Sequence, residues 1–245
     1  MQKVCAYCKL PKKLTKEHIW PSSIVKKVKE RGRYSEKFNK IVWNDLTIKD
    51  VCADCNNKPL SEIDNYGLLI FDKYFTHYID ENSKIEFEYD YAMLSRWLLK
   101  LSFNSARAVK SDYKILEKYA DILINLDKPL PFDFSISLDL VLPSTDLLID
   151  KKLLPASNRI CRIKFLNNID DWCIVRLVAI NSYYFWILIQ DKPDHEVNMK
   201  NAEEVLSRIR GVYINPKDSK IKVEPSGVTM IEMHKDWINV IKEFK

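Results

Sequence analysis

The sequence predicts an α+β protein, and three observations support that class. Two Cys-x-x-Cys pairs lie within the first 55 residues, apolar residues recur at helical spacing through the middle of the chain, and β-branched and aromatic residues concentrate beyond Pro131. Helices and strands that occur in separate runs are typical of an α+β arrangement. We therefore expect an N-terminal module over residues 1–75, then a helical segment and a mixed strand and helix region over residues 76–245.

The N-terminal part predicts two helices. The segment IVKKVKE, which begins at Ile24, indicates a short helix, and a loop is expected around Arg31–Ser35. A second helix is expected from Pro59 onwards, because apolar residues recur near helical spacing from Leu60 to Phe71. Proline is tolerated in the first turn of a helix, where its missing N–H group is not needed.

Two further helices are predicted in the middle of the chain, over Tyr91–Val109 and Tyr113–Asn125. In the first of them Arg96, Lys100 and Arg107 follow one another at spacings of four and seven residues, which places them on one face. We interpret this basic stripe as the solvated face of a core helix, and contact with nucleic acid is the alternative.

The C-terminal part predicts strands, because its apolar runs are rich in β-branched and aromatic residues. The strands are expected over Phe134–Leu142, Cys161–Leu166, Trp172–Ala179 and Tyr183–Gln190. Asn181 and Ser182 separate the last two runs and indicate a hairpin turn. Helices are expected over Ala202–Arg210 and His234–Phe244.

The composition excludes several classes of protein. A hydrophobic content of 47% is that of a globular protein, and the sequence holds no apolar run of the roughly 20 residues that span a bilayer. The N-terminal MQKVCAYC lacks the pattern of a secretory signal. We expect a cytoplasmic protein without a membrane partner, in which paired cysteines bind metal and do not form disulfides.

The charge is concentrated at the N-terminus. Residues 1–60 carry 14 Lys and Arg against 6 Asp and Glu, a net charge of +8, whereas the whole chain has a net charge of +5. A basic segment on a near-neutral body indicates a polyanionic partner for that segment.

The cysteine pairs predict a metal site. Cys5 and Cys8 form one Cys-x-x-Cys pair, Cys52 and Cys55 form a second one, and 43 residues lie between the two pairs. Four thiolates suit tetrahedral Zn²⁺, and a closed four-thiolate site leaves no open coordination position. We expect this zinc to be structural, so that the chemistry lies between or just beyond the pairs.

The segments CAYC, LTKEHIWP and VCADCNNKPLSEID, together with their order, resemble the HNH endonuclease family, in the subgroup with two zinc knuckles. The resemblance covers about Cys5 to Asp64 and implies a ββα-metal (His-Me finger) fold. It implies that His18 is the general base, and that Glu17 and Asn56 are ligands of a catalytic Mg²⁺ or Mn²⁺ ion. It assigns the middle asparagine to Asn44, with Asn39 as the rival.

The chemistry of these residue types agrees with the implied roles. Imidazole titrates near neutral pH, and oxygen ligands suit Mg²⁺ and Mn²⁺. Adjacent strand residues point to opposite faces, so Glu17 and His18 share a site only if the strand ends or bends there. Pro21 is consistent with such an end of the strand.

The sequence departs from the family pattern after the second knuckle. Many members carry a further histidine where this chain has Leu60, so Asn57 or Asp64 is a candidate additional ligand. Two plainer alternatives stay open: His18 as a zinc ligand or a core residue, and Asn56 as a helix cap.

Basic residues between the knuckles are expected to face phosphate, with DNA favoured over RNA. They are Lys12, Lys13, Lys16, Lys26, Lys27, Lys29, Arg31 and Arg33.

The sequence therefore predicts a metal-dependent HNH endonuclease, and the resemblance suggests a role in restriction or anti-phage defence. Two rivals stay open. One is a non-catalytic zinc module that binds nucleic acid or protein. The other is a nuclease subunit that is active only in a complex, with a protein partner or a second copy bound through the C-terminal region.

Overall fold

The structure is a computed structural model that describes residues 3–27, 33–35, 40–42, 47–143, 148–149, 152–153, 159–163, 173–191, 207 and 209–233. The described chain is mixed α+β, as expected, and forms two compact units. The first consists of residues 1–73 and 90–133, and the second of residues 74–89 and 134–245.

The elements follow in chain order. The first part holds β1 (Leu14–His18), α1 (Ser22–Lys27), β2 (Arg33–Ser35), β3 (Lys40–Val42), β4 (Thr47–Cys52), α2 (Ala53–Cys55), a π-helical turn (Asn56–Leu60) and α3 (Ser61–Tyr74). The middle holds β5 (Ile85–Glu88), α4 (Tyr91–Val109), α5 (Tyr113–Leu116), a 3₁₀ turn (Glu117–Tyr119) and α6 (Ala120–Ile124). The remainder holds β6 (Phe134–Leu142), β7 (Leu148–Ile149), β8 (Lys152–Leu153), β9 (Arg159–Ile163), β10 (Cys173–Ile180), β11 (Tyr183–Gln190), β12 (Val212–Tyr213), β13 (Lys220–Val223), β14 (Pro225–Thr229) and α7 (Met230–Met233).

In the first unit, strands β1 and β4 form an antiparallel pair. Leu14 lies opposite Cys52 and His18 lies opposite Thr47, with a shift of register between Thr15 and Glu17. The small β2–β3 pair belongs to the segment between α1 and β4. Strand β4 therefore runs directly into the second cysteine pair.

The helix after the second knuckle begins earlier than the sequence predicts. Helical structure is continuous from Ala53 to Tyr74, so Pro59 lies inside a helix and not in its first turn. A proline ring in a regular α-helix clashes with the carbonyl four residues earlier. Here the turn that contains Pro59 is a wider π-helical turn, Asn56–Leu60, a form that occurs often at functional sites.

Helix α4 has the predicted bounds, but the interpretation of its basic stripe as solvated is wrong. Arg96 is 2% exposed and Lys100 is 0% exposed. Arg96 donates hydrogen bonds to the backbone carbonyls of Ile122, Leu126 and Lys128, so it ties α4 to the end of α6. Both charges are buried because each meets oxygen acceptors inside the unit. No helix in the described part of the chain has the length and apolar character needed to cross a membrane.

The second unit is built on a sheet with the strand order β12-β6-β11-β10-β9, to which β14 adds in parallel along β6. Strands β6 and β11 have the predicted bounds, and Asn181 and Ser182 form the turn between β10 and β11 as predicted. One face packs Phe75, Phe87 and Phe185 in an aromatic cluster. The opposite face carries a core that includes Leu177, Trp186 and Met230.

The compact units do not follow the sequence division at residue 75. Residues 90–133 belong with the N-terminal residues, because the polar side chains of α4 bond to β1 and β4. The predicted helix at 234–244 lies outside the described residues, and so does the helix at 202–210 except for residues 207, 209 and 210.

Candidate metal centre and adjoining cleft

The two cysteine pairs converge because each lies at the end of a folded element. The first pair sits in a tight loop closed by the Val4–Pro11 bridge and by a hydrogen bond from the Cys5 N–H to the Leu10 carbonyl. The second pair begins at the last residue of β4 and ends α2. The backbone N–H of Cys52 donates to Sγ of Cys5 at 3.3 Å, which joins the two knuckles directly.

The four sulfur atoms are placed to hold a metal ion. All four lie within 4.8 Å of one another, and Sγ of Cys8 is 3.8 Å from Sγ of Cys52. A tetrahedron with Zn–S bonds of about 2.3 Å has edges of about 3.8 Å, so the cluster has the dimensions of a zinc site. None of these four cysteines forms a disulfide in the structure.

The sulfur atoms experience opposed electrostatic effects. Burial raises the pKa of Cys5, but backbone N–H groups of Cys52, Cys8 and Tyr7 outweigh this and lower the pKa to about 7. Burial and the neighbouring thiols raise the pKa of Cys55. Four thiolates so close together require a cation, which is the electrostatic role that a bound metal fulfils.

Glu17 and His18 come together at the end of strand β1. The strand ends at His18, and the shift of register just before Glu17 breaks the regular alternation of side chains. Helix α1 begins four residues later, after Pro21. As a result, Glu17 and His18 line the same cleft. The sequence predicts this arrangement only if the strand ends or bends at these residues.

The cleft has a volume of about 310 Å³ and a polar lining. Its walls come from β1, the start of α1 and the continuous helix after the second knuckle. The lining residues are Lys16, Glu17, His18, Ser22, Asn56, Asn57, Ser61 and Asp64. The cleft therefore brings together Glu17, His18 and Asn56, three residues that the sequence analysis chose for a catalytic site, with the candidate ligands Asn57 and Asp64.

Glu17 is a buried carboxylate and not an open one. It is 4% exposed, and its Oε1 atom lies 2.7 Å from the Nζ atom of Lys100. The same ammonium group contacts Asp64 at 2.6 Å to Oδ1 and 2.7 Å to Oδ2. Burial lowers the pKa of Lys100, but the carboxylates of Asp64 and Glu17 outweigh this and raise it above the ordinary range, so Lys100 is charged.

Asn104 connects this ion cluster to the rest of the first unit. Its Nδ2 atom donates to Oε1 of Glu17 and to the backbone carbonyl of His18, each at 3.1 Å. Its Oδ1 atom accepts from the Tyr7 hydroxyl at 2.6 Å and from Nη2 of Arg107 at 2.9 Å. Each polar atom of the amide thus makes two hydrogen bonds, which fixes the position of the strand end.

Arg107 and Tyr7, which both donate to Oδ1 of Asn104, make further contacts that fix their own positions. Nε of Arg107 donates to Oδ2 of Asp50 on β4 at 2.9 Å, and the guanidinium stacks over the rings of Tyr7 and Phe103. Burial raises the pKa of Tyr7 to about 12, so its hydroxyl keeps the proton that it donates. Tyr7 lies between the two cysteines of the first knuckle, so the metal centre and the cleft share this network.

Asn56 faces the cleft from the first residue of the π-helical turn. Its Nδ2 atom donates to Oγ1 of Thr15 at 3.2 Å and to the backbone carbonyl of Lys16 at 3.1 Å. The amide nitrogen is thereby bound to β1, and the amide oxygen is the atom that a cation in the cleft would use. Leu60, where many family members carry a histidine, is fully buried and offers no ligand.

The Nδ1 atom of His18 is buried and makes no hydrogen bond to any residue that the structure describes. The described residues contain one group of three or more Cys, His, Asp or Glu side chains with ligand atoms within 4.8 Å, namely the four cysteines. Glu17, His18 and Asp64 are therefore not a closed ligand cage. A cation in the cleft would keep several waters, as Mg²⁺ usually does.

Of the predicted phosphate-facing residues, Lys16 lines the cleft. Lys12 and Lys27 are engaged in ion pairs with Asp54 and Asp72. Within the described part of the chain, Lys13, Lys16 and Lys26 are exposed and make no ion pair. Asn44, Asn39, Lys29, Arg31 and the side chain of Arg33 lie outside what the structure describes.

The supporting role of α4 is not evident from the sequence. Lys100, Asn104 and Arg107 recur at i, i+4 and i+7, so they form a polar stripe along one face of the helix. Such a stripe indicates a buried polar network as readily as a solvated face. The residues of this segment do not decide between these two alternatives.

Comparisons with known proteins add no relative to this picture. No protein-family model matches the chain, and neither a curated protein nor a solved structure is significantly similar to it. The resemblance to the HNH family therefore rests on the quoted motifs, and the function is argued from the site.

Proposed function

We propose that the chain is a metal-dependent nuclease that resembles the HNH family and hydrolyses phosphodiester bonds, with DNA favoured over RNA. The observation that carries the proposal is the cleft lined by Glu17, His18, Asn56 and Asp64, next to a four-cysteine cluster. We further propose that the cluster holds structural zinc, since four thiolates leave no open position for chemistry.

His18 is the proposed general base. Its imidazole takes a proton from a water molecule as the water oxygen bonds to phosphorus, and the bond from phosphorus to one ester oxygen breaks. Asn104 supports this role, because its hydrogen bond to the His18 carbonyl fixes the backbone that carries the ring.

Oxygen-bearing side chains fit a hard divalent cation such as Mg²⁺ or Mn²⁺. The amide oxygen of Asn56 and the carboxylates of Glu17 and Asp64 are the groups that would hold it, with waters in the remaining positions. When bound, such an ion neutralises phosphate charge and stabilises the leaving oxygen. Lys16, on the wall of the cleft, is placed to attract the phosphate backbone.

A cleavage assay tests the proposal, with supercoiled plasmid and single-stranded DNA and RNA incubated with Mg²⁺ or Mn²⁺. His18→Ala should reduce the cleavage rate at least about 100-fold, because general-base catalysis contributes about 10²–10⁴. His77→Ala is the matched control, since His77 is exposed and does not line the cleft.

Metal-dependent cleavage that survives His18→Ala unchanged would contradict the site. Binding of nucleic acid without cleavage would favour the non-catalytic zinc module. Cleavage that appears only after a partner is added would favour the subunit that works in a complex.

A further inference from the structure

The Nζ atom of Lys100 occupies an unusual position for an ammonium group. Lys100 has no exposed surface, yet it lies on helix α4 directly behind the cleft and is not part of the cleft lining. Its nitrogen is within 2.7 Å of Glu17 and of both oxygens of Asp64. Burial of a lone ammonium is strongly unfavourable, so these two carboxylates are what permits it.

The carboxylates of Glu17 and Asp64 also depend on their contact with Lys100. Glu17 is buried, and the Asp64 side chain is 23% exposed, so neither is well solvated. Two carboxylates that share one partner repel each other, and without that partner one of them would have to take up a proton or bind a cation. One lysine against two ionised carboxylates gives the three side chains a formal charge of −1. Burial raises the pKa of Asp64, and the charge of Lys100 opposes that rise.

Lys100 holds Glu17 through one identified oxygen. Lys100 and Asn104 both contact Oε1 of Glu17, and Glu17 is also one of the residues that line the cleft. The protein therefore fixes this carboxylate at the wall of the cleft.

We propose that Lys100 is a built-in cation behind the cleft, a positioning residue that holds Glu17 and Asp64 side by side and leaves the three side chains with a formal charge of −1 toward a single divalent ion. The binding of a divalent ion rests on the proposed function. The charge balance among Lys100, Glu17 and Asp64 does not depend on it. The arrangement explains how one cleft accommodates two carboxylates before any metal or phosphate arrives. It also assigns Asp64 to the site, on the helix where Leu60 offers no ligand.

The test measures thermal unfolding and cation binding, not cleavage. Lys100→Met keeps the length of the side chain and removes its charge, so the cluster would carry −2. We expect a lower Tm than the wild type in divalent-free buffer and a larger rise of Tm on addition of Mg²⁺ or Mn²⁺. The apparent affinity for Mn²⁺ should rise at least about tenfold, because two uncompensated carboxylates attract the ion.

A double variant tests the charge balance itself. Lys100→Met combined with Asp64→Asn restores the net charge of −1, and we expect it to recover most of the Tm lost in Lys100→Met. Arg96→Met is the matched control, because Arg96 is also a buried cation on α4, but its hydrogen bonds to described residues all go to backbone carbonyls. Its loss of Tm should be recovered neither by divalent ions nor by Asp64→Asn.

If Lys100→Met fails to fold while the double variant folds, the proposal stands. Three outcomes overturn it: equal loss of Tm with and without divalent ions, no recovery in the double variant, or failure of both variants to fold. None of these readouts involves cleavage. Loss of the nuclease proposal in the His18→Ala assay would thus leave this result intact, and the reverse also holds.

Discussion

Asp139, in the second unit, is a buried carboxylate whose surroundings differ from those of Glu17. It is 1% exposed on strand β6, and neither carboxylate oxygen has a hydrogen-bond partner among the described residues. Burial raises the pKa of Asp139, and Ser226 and Arg210 offset only part of that rise. Glu17 is stabilised by a lysine and an amide, whereas Asp139 lacks comparable contacts.

Asp139→Asn should therefore stabilise the protein at neutral pH. The folded state binds the carboxyl proton more tightly than the unfolded state, so the free energy of unfolding falls as pH rises from the ordinary pKa of 3.8 through the folded pKa. Asparagine does not ionise, so we expect a gain on the order of 1 kcal/mol at pH 7. Below about pH 4 the gain from removing the charge should disappear, because both states then carry the protonated acid.

Urea unfolding at pH 4 and pH 7 measures this difference. Asp218→Asn is the control, because Asp218 is exposed in a turn and should show no pH-dependent gain. A gain that is the same at both pH values would show that the charge of Asp139 is not the cause.

Helix α3 packs against helix α4 at a glycine. A Cβ atom at Gly67 would lie 2.1 Å from Nε1 and 2.4 Å from Cε2 of Trp97, which is fully buried. The two helices are brought close here, and this approach positions α4 with Lys100 and Asn104 relative to Asp64. A rigid contact of this kind leaves no space for even one methyl group.

Gly67→Ala should destabilise the protein although alanine is the better helix former. Helix propensity alone favours alanine by about 1 kcal/mol, but overpacking against the indole costs about 1–3 kcal/mol. Chemical unfolding should therefore show a net loss. Asn65→Ala, at an exposed position of the same helix, is the control and should be neutral or slightly stabilising. A gain at Gly67 of the size seen at Asn65 would show that Trp97 moves aside freely.

The four cysteines of the first unit are placed to hold a metal ion, and we expect the stability of this unit to depend on it. The knuckles fix the end of β4, the start of the helix after it and Tyr7, and these elements carry the cleft. Because the two pairs are 43 residues apart in the chain, a bound ion closes a long loop and favours the folded state.

Metal analysis of the purified chain should find about one zinc ion per chain. Cys5→Ser should lose that zinc, and a strong chelator should lower the Tm of the wild type. Cys161→Ser is the control, since Cys161 lies outside the cluster and should leave the zinc content unchanged. Full zinc content after Cys5→Ser would contradict the four-cysteine site.

Much of the local structure could be predicted from the sequence. The apolar segment Tyr91–Val109 predicted the bounds of α4. Runs rich in β-branched and aromatic residues predicted the bounds of β6 and β11, and a turn dipeptide predicted the hairpin at Asn181. The start of the helix after the second knuckle was missed, because Pro59 reads locally as an N-terminal signal and only the wider π-helical turn accommodates it. Sequence rules for proline describe regular α-helices, and they do not predict that a helix changes from the α to the π form.

For the candidate site, the sequence by itself determined which chemical groups are available: four thiols, an imidazole, carboxylates and amides in a fixed order. Only the tertiary structure decided which side chains are buried together, because burial is a property of contacts between residues distant in the chain. Lys100 lies 83 residues from Glu17 and 36 from Asp64, and nothing in its own segment separates a solvated lysine from a buried one. Lys100 is buried because the fold brings the carboxylates of Glu17 and Asp64 to its ammonium group, at a place where water is excluded.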